Sequence, residues 1–169
     1  MLGKLGYNTS MSQVIEEKTS RLAQNTALFT IGYEGRNLEE FAGRLKDFGV
    51  ETLVDVRDIP LSRKKGFSKT PLSQYLQEVG IEYIHLKQLG SPKDLRGKVK
   101  EDGDYKYFYQ EYSDYIQTQK PSIETLYQIA ANNSACIMCY ERNPYICHRL
   151  VVAEEIKKRD GNGLVVKHI

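Results

Sequence analysis

Residues 28–56, LFTIGYEGRNLEEFAGRLKDFGVETLVDV, decide the fold class. Leu28 to Gly32 is a short apolar run closed by glycine, the pattern of a buried strand. Asn37 can cap a helix that carries Glu39 and Glu40 in its first turn. Along that helix Leu38, Phe41, Ala42, Leu45 and Phe48 recur at three- and four-residue spacing until Gly49 ends it. Thr52 to Val56 is a second strand.

The alternation continues outward. Thr70 and Pro71 open a helix that runs to about Val79 and stops at Gly80, and Ile81 to Leu86 is a third strand. A long basic loop leads to helices over Tyr105 to Ile116 and Ser122 to Ala131. A fourth strand spans Ala135 to Tyr140, a helix Cys147 to Arg159, and a last strand Leu164 to Ile169. Strands alternating with helices imply a three-layer α/β/α sandwich, Rossmann-like, with a mostly parallel sheet of about five strands. Residues 27–169 read as a single α/β domain. Residues 1–26, rich in Ser, Thr, Asn, Gln and Glu, read as a loosely ordered polar extension.

Composition narrows the class. The chain has 169 residues, enough for one domain with a core. Its 24 Lys and Arg against 22 Asp and Glu leave a net charge of +2, which excludes a polybasic nucleic-acid wrapper and an acidic disordered tail. No apolar run approaches the ~18 residues of a membrane span, and no signal-peptide pattern opens the chain. Three cysteines make no disulfide framework and favour a reducing compartment, hence a cytoplasmic protein.

In open parallel sheets ligands bind beyond the carboxyl ends of the strands. Those loops hold most of the chain's reactive and cationic side chains. Arg57 to Lys69 and Lys87 to Lys100 each contain five basic residues and one acidic, so each is net +4 within a chain of net +2. A cationic rim of this kind attracts anionic substrates.

The sharpest local signal is residues 138–149, MCYERNPYICHR, running from a strand end round a proline loop into a helix start. Unpaired N–H groups at a helix start offer an anion site, and Arg149 adds charge to it. Cys147 in that field is a candidate low-pKa thiol, with Cys139 close by. Glu141 and His148 are candidate proton-transfer groups. Cys136 and Cys139, three apart on a strand, face opposite ways, so Cys136 reads as a buried small hydrophobe. Cys139, Cys147 and His148 supply only three ligands, and a structural zinc needs a fourth from Glu141, His85 or His168. No metal is assigned from the sequence. A free thiol pair, a disulfide and a zinc clip all stay open.

Asp55 and Arg57 share a side of their strand end, either as a structural ion pair or as an anion-binding arginine oriented by its carboxylate. Tyr105, Phe108, Tyr109, Tyr112 and Ile116 follow helical spacing, which favours a core face over a base-stacking platform. His85 and His168 read as structural histidines.

Three blocks together, Thr30–Gly35, Val54–Arg57 with Pro60, Ser62 and Arg63, and Met138–Arg149, resemble the domain of unknown function 488 family over about Phe29 to Ile169. Many members carry His where this chain has Tyr33, so no catalytic histidine is assigned there. The resemblance implies one compact α/β domain in which Gly32, Asp55, Arg57, Arg63, Cys139, Glu141, Cys147, His148 and Arg149 cluster. It supplies no reaction and no cofactor.

The expectation is therefore an enzyme acting by transfer or hydrolysis on a phosphate-bearing anion, a nucleotide or a nucleic-acid end. Arg57, Arg63 and Arg149, with Gly32 and Tyr33, would contact substrate. Glu141, Asp55 or His148 would handle protons, and Cys147 or Cys139 would be the thiol. The rival reading is a metal-clipped nucleic-acid-binding module without catalysis.

Overall fold

A computed structural model describes residues 27–161 and 163–169. The extension expected over residues 1–26 lies outside them. Five strands form one parallel sheet: β1 (Ala27–Gly32), β2 (Thr52–Asp55), β3 (Glu82–His85), β4 (Ala135–Cys139) and β5 (Val165–His168), in the order β3-β2-β4-β1-β5. The six α-helices among the described residues are α1 (Leu38–Asp47), α2 (Lys69–Glu78), α3 (Lys93–Asp102), α4 (Tyr105–Gln117), α5 (Lys120–Asn132) and α6 (Arg149–Arg159).

Strand periodicity of two divides the core. Phe29, Ile31, Leu53, Cys136 and Met138 pack against α1 and α2 through Phe41, Leu45, Leu72 and Leu76. Leu28, Val54, Ala135 and Ile137 pack on the other face against Tyr112, Leu126, Val152 and Ile156 of α4, α5 and α6. α1 begins with a complete capping box. The Asn37 side chain accepts from Glu40 N at 2.8 Å, and Glu40 accepts from Asn37 N at 3.0 Å.

The strand order explains where a crevice opens. The chain leaves β1 through α1 towards β2, whereas it leaves the adjacent β4 through α6 towards β5. Connections from two neighbouring strands thus depart to opposite faces of the sheet, the topological switch point at which doubly wound sheets bind ligands.

Three local expectations are corrected. The long basic loop contains α3, which starts after Pro92 and ends at Gly103 with φ 71°. Only Leu95 and Val99 give it apolar spacing and none of its residues is fully buried, so its periodicity is faint. α2 starts at Lys69, after Ser68, placing Pro71 inside the first turn. α6 starts at Arg149, because a 3-10 turn over Pro144–Ile146 holds the preceding segment and leaves Cys147 extended.

Candidate functional site

The loops following β1, β2, β3 and β4 enclose one cavity of about 590 Å³ at the carboxyl edge. Tyr33 comes from the first loop, and Arg57, Ile59, Leu61, Ser62, Arg63 and Lys64 from the second. Ser91, with Arg96, Val99 and Lys100 of α3 and Tyr105 and Phe108 of α4, lines a third side. Cys139, Tyr140, Glu141, Ile146, Cys147 and His148 complete it.

Asp55 is fully buried and accepts from the Arg57 backbone N–H at 3.0 Å, from Arg57 Nε at 2.9 Å and from Arg57 Nη2 at 2.6 Å. The Tyr83 hydroxyl adds a donor at 2.5 Å. Arg57 spends Nη1 on Tyr33 Oη at 3.1 Å and on the Phe67 carbonyl at 2.9 Å. Four of its five guanidinium N–H donors are thereby taken, and one on Nη2 is left where the residue meets the cavity. Burial opposes the charge on Arg57, but hydrogen bonding and attraction to Asp55 raise its pKa. Asp55 does not line the cavity: it positions Arg57. Tyr33 lines it through a ring stacked on Phe67, centroids 4.5 Å apart.

Arg149 and Gly32 are placed differently from expectation. The Arg149 guanidinium turns inward, donating to the carbonyls of Glu141 and Arg142 and, at 3.4 Å, to Thr30 Oγ1. It ties the β4 loop to β1 instead of facing the cavity. Gly32 does not line the cavity either: a Cβ there would collide with the Glu141 carbonyl crossing above it. Arg149 and Gly32 are the two clamps that fix where Glu141 stands.

The cavity floor holds both thiols. Cys139 Sγ donates to Glu141 Oε2 at 3.2 Å and lies 3.8 Å from His148 Nδ1. Cys147 Sγ lies 4.0 Å from the same nitrogen. His148 Nε2 donates to the Val56 carbonyl at 2.9 Å, and the edge of the ring meets Tyr112. Cys139, Cys147 and His148 offer three ligand atoms within 4.8 Å of one another. His85 bonds the Arg57 carbonyl and His168 bonds Thr30 Oγ1, so both serve structure. Cys136 is buried on the opposite sheet face.

Burial pushes the Cys147 thiol well up, aided by Cys139, and His148 only partly opposes this. With α6 starting two residues later, the helix start does not lower it as the sequence led us to expect. Burial also works against the Glu141 carboxylate, but donors from Cys147, a backbone N–H and Cys139 hold its pKa below the ordinary value.

Some residues of the site were not singled out from sequence. Ser91 is 1% exposed, and its hydroxyl has no hydrogen-bond partner among the described residues. Lys64 and Lys100 line the cavity beside Arg63, and among the described residues none of the three has an ion-pair partner. Arg96, by contrast, pairs with Asp58 at 3.1 Å. Basic side chains in this stretch were legible; which of them stay free depends on α3. The tyrosine stripe of α4 is mainly core and fastening. Tyr112 and Tyr115 donate to the Leu89 and Gln88 carbonyls at 2.6 and 2.9 Å, and Tyr109 to the Tyr145 carbonyl at 2.7 Å. Burial raises the Tyr109 hydroxyl to about 12 and that of Tyr112 well above its usual value, so both stay protonated donors.

Fold and site together define a parallel α/β protein with a thiol- and carboxylate-floored cavity at its switch point. Residues 37–156 match the family model described as Domain of unknown function DUF488, and the chain belongs to that family. The match takes in β2, β3, β4 and the whole 138–149 loop, and begins after the Thr30–Gly35 block. No curated protein and no solved structure matches the chain. Among the described residues, no helix is long and apolar enough to cross a membrane.

Proposed function

We propose that the protein is an enzyme that binds a phosphate-bearing ligand, a nucleotide or nucleic-acid end, in the carboxyl-edge cavity and acts on it by transfer or hydrolysis. The carrying observation is the pairing, in one cavity, of the cations Arg63, Lys64 and Lys100, without ion-pair partners among the described residues, with exposed apolar groups at Ile59, Leu61, Tyr105 and Tyr140. Cations match phosphate oxygens, and flat or aliphatic side chains match a base. Ser91 adds a hydroxyl without a partner, suited to a phosphate or sugar oxygen. Glu141, kept ionised beside the thiols, is the group suited to take a proton. Buried Cys139 and Cys147 fit this scheme as floor, not as exposed nucleophiles. Three free thiols also suit a reducing, cytoplasmic setting.

A thermal-shift series with nucleoside phosphates, the matching nucleosides and short oligonucleotides tests this. A ligand at about 100 times its Kd adds about 2.7 kcal/mol, which raises Tm by about 5–11 °C in a domain of this size. Nucleoside phosphates should give such shifts and nucleosides much smaller ones. Equal responses, or none, remove the anion claim. A shift with oligonucleotides alone favours the binding module.

A further inference from the structure

We propose that Cys139, Cys147 and His148 form a binding site for one zinc-class divalent cation, with its fourth position open to the cavity beside Glu141. Zinc–sulfur and zinc–nitrogen bonds of about 2.3 and 2.0 Å at tetrahedral angles put sulfur and nitrogen about 3.5 Å apart. The 3.8 and 4.0 Å separations from His148 Nδ1 exceed that by a few tenths of an ångström. The second shell is already in place. The Val56 carbonyl can only accept, so Nε2 carries a ring proton and Nδ1 faces the sulfurs, where a neutral ring would offer its lone pair to a metal. Tyr112 packs its ring at 70° to the imidazole, centroids 5.4 Å apart, and helps hold its plane.

The three ligands come from rigid positions: the end of β4, the residue after the 3-10 turn, and the cap residue just before α6. Two sulfurs and one nitrogen leave a tetrahedral ion one position short, the arrangement of a catalytic site more than of a closed structural one. Glu141 lies beside that position, accepting from Cys139 Sγ at 3.2 Å. Metal uptake replaces two S–H bonds with two metal–sulfur bonds and sends those two protons to solvent, together with any proton carried by His148 Nδ1. The Cys139 donor to Glu141 would be lost, leaving that carboxylate oxygen beside the open position as an acceptor. As a metal site this stands alone; as the reactive centre of the cavity it rests on the function proposed above.

The full chain, purified reduced and stripped of metal, should be titrated with Co(II), followed by optical spectra and proton release. We expect one cobalt per chain, a sulfur-to-cobalt charge-transfer band, strong tetrahedral d–d bands, and about two to three protons released, two from the thiols and any from His148 Nδ1. Zinc should displace the cobalt, and azide should shift the d–d bands by entering the open position. Cys147→Ser and His148→Asn should each weaken uptake at least about 100-fold, while Cys136→Ala leaves it unchanged. If a variant fails to fold, the wild-type spectrum decides alone. No uptake by the reduced protein, a weak octahedral spectrum, no response to azide, or uptake surviving both substitutions overturns the site. Nucleotide shifts measured on the stripped protein report separately on the cavity: shifts without metal uptake sink only the metal site, and uptake without shifts sinks only the nucleotide reading.

Discussion

The two ends of the sheet are built to opposite rules. At the amino end the turns close on themselves. Glu51 N donates to the Ser134 carbonyl at 2.8 Å, Ser134 N to Glu51 Oε2 at 2.9 Å, and Glu82 N to the Glu51 carbonyl at 2.9 Å. Gly49 and Gly80 take φ of 63° and 80° to finish α1 and α2 there. At the carboxyl end the loops are long, and among the described residues they leave cations without ion-pair partners, a serine hydroxyl without a hydrogen bond and exposed apolar side chains around a cavity. Spent polar groups make a scaffold; unspent ones make a site.

The same contrast divides the arginines. Arg57 and Arg149 are almost wholly buried and donate to a carboxylate, a hydroxyl or carbonyls, while Arg63 is exposed and has no ion-pair partner among the described residues. If that division is right, Asp55→Ala should be the most damaging change. Stranding the buried Arg57 charge costs about 3–5 kcal/mol, measurable by urea unfolding; a loss below about 1 kcal/mol would mean that Arg57 finds water easily.

Gly32→Ala should come next, at about 1–3 kcal/mol from overpacking against the Glu141 carbonyl. Because that carbonyl belongs to the site, ligand binding should fall further than stability does, and equal falls would break the link between clamp and cavity.

Arg63→Ala and Lys100→Ala should change stability by less than about 0.5 kcal/mol, as exposed substitutions do. Both should weaken phosphate binding several-fold at low salt and much less at high salt, read by titration calorimetry.

The smallest effect concerns His168 on β5, which shares the Thr30 hydroxyl with Arg149. Burial, then Arg149, lowers its pKa from 6.5. Its unfolded state therefore binds the proton first, and the neutral folded form contributes stability that is present above pH 6.5 and lost as pH falls through the lowered value. His168→Asn should flatten the stability difference between about pH 7.5 and pH 5 slightly. An unchanged slope would assign that pH dependence elsewhere.

Much of this was legible in the chain, for physical reasons that differ by residue. The Asn37 cap with Glu40 is local chemistry, and it stands where spacing put it. Cys136 and Cys139 face apart because a strand alternates, and residues 138–149 reach the sheet's carboxyl edge because β4 is parallel. What stayed hidden was partner choice. Nothing near Arg149 in sequence says that it donates to the Glu141 and Arg142 carbonyls instead of a ligand. Nothing near Cys147 says that a 3-10 turn withholds it from the helix start. α3 was missed because a surface helix with two apolar residues has almost no periodic signal.

The claim that matters most is that the carboxyl edge alone is the working end. Hydrogen exchange with and without a saturating nucleoside phosphate tests it directly. Protection should rise over residues 57–64, 91–100 and 139–148 and stay unchanged around Gly49, Gly80 and Ser134. Protection centred on that opposite edge, or none at the cavity, would contradict the account.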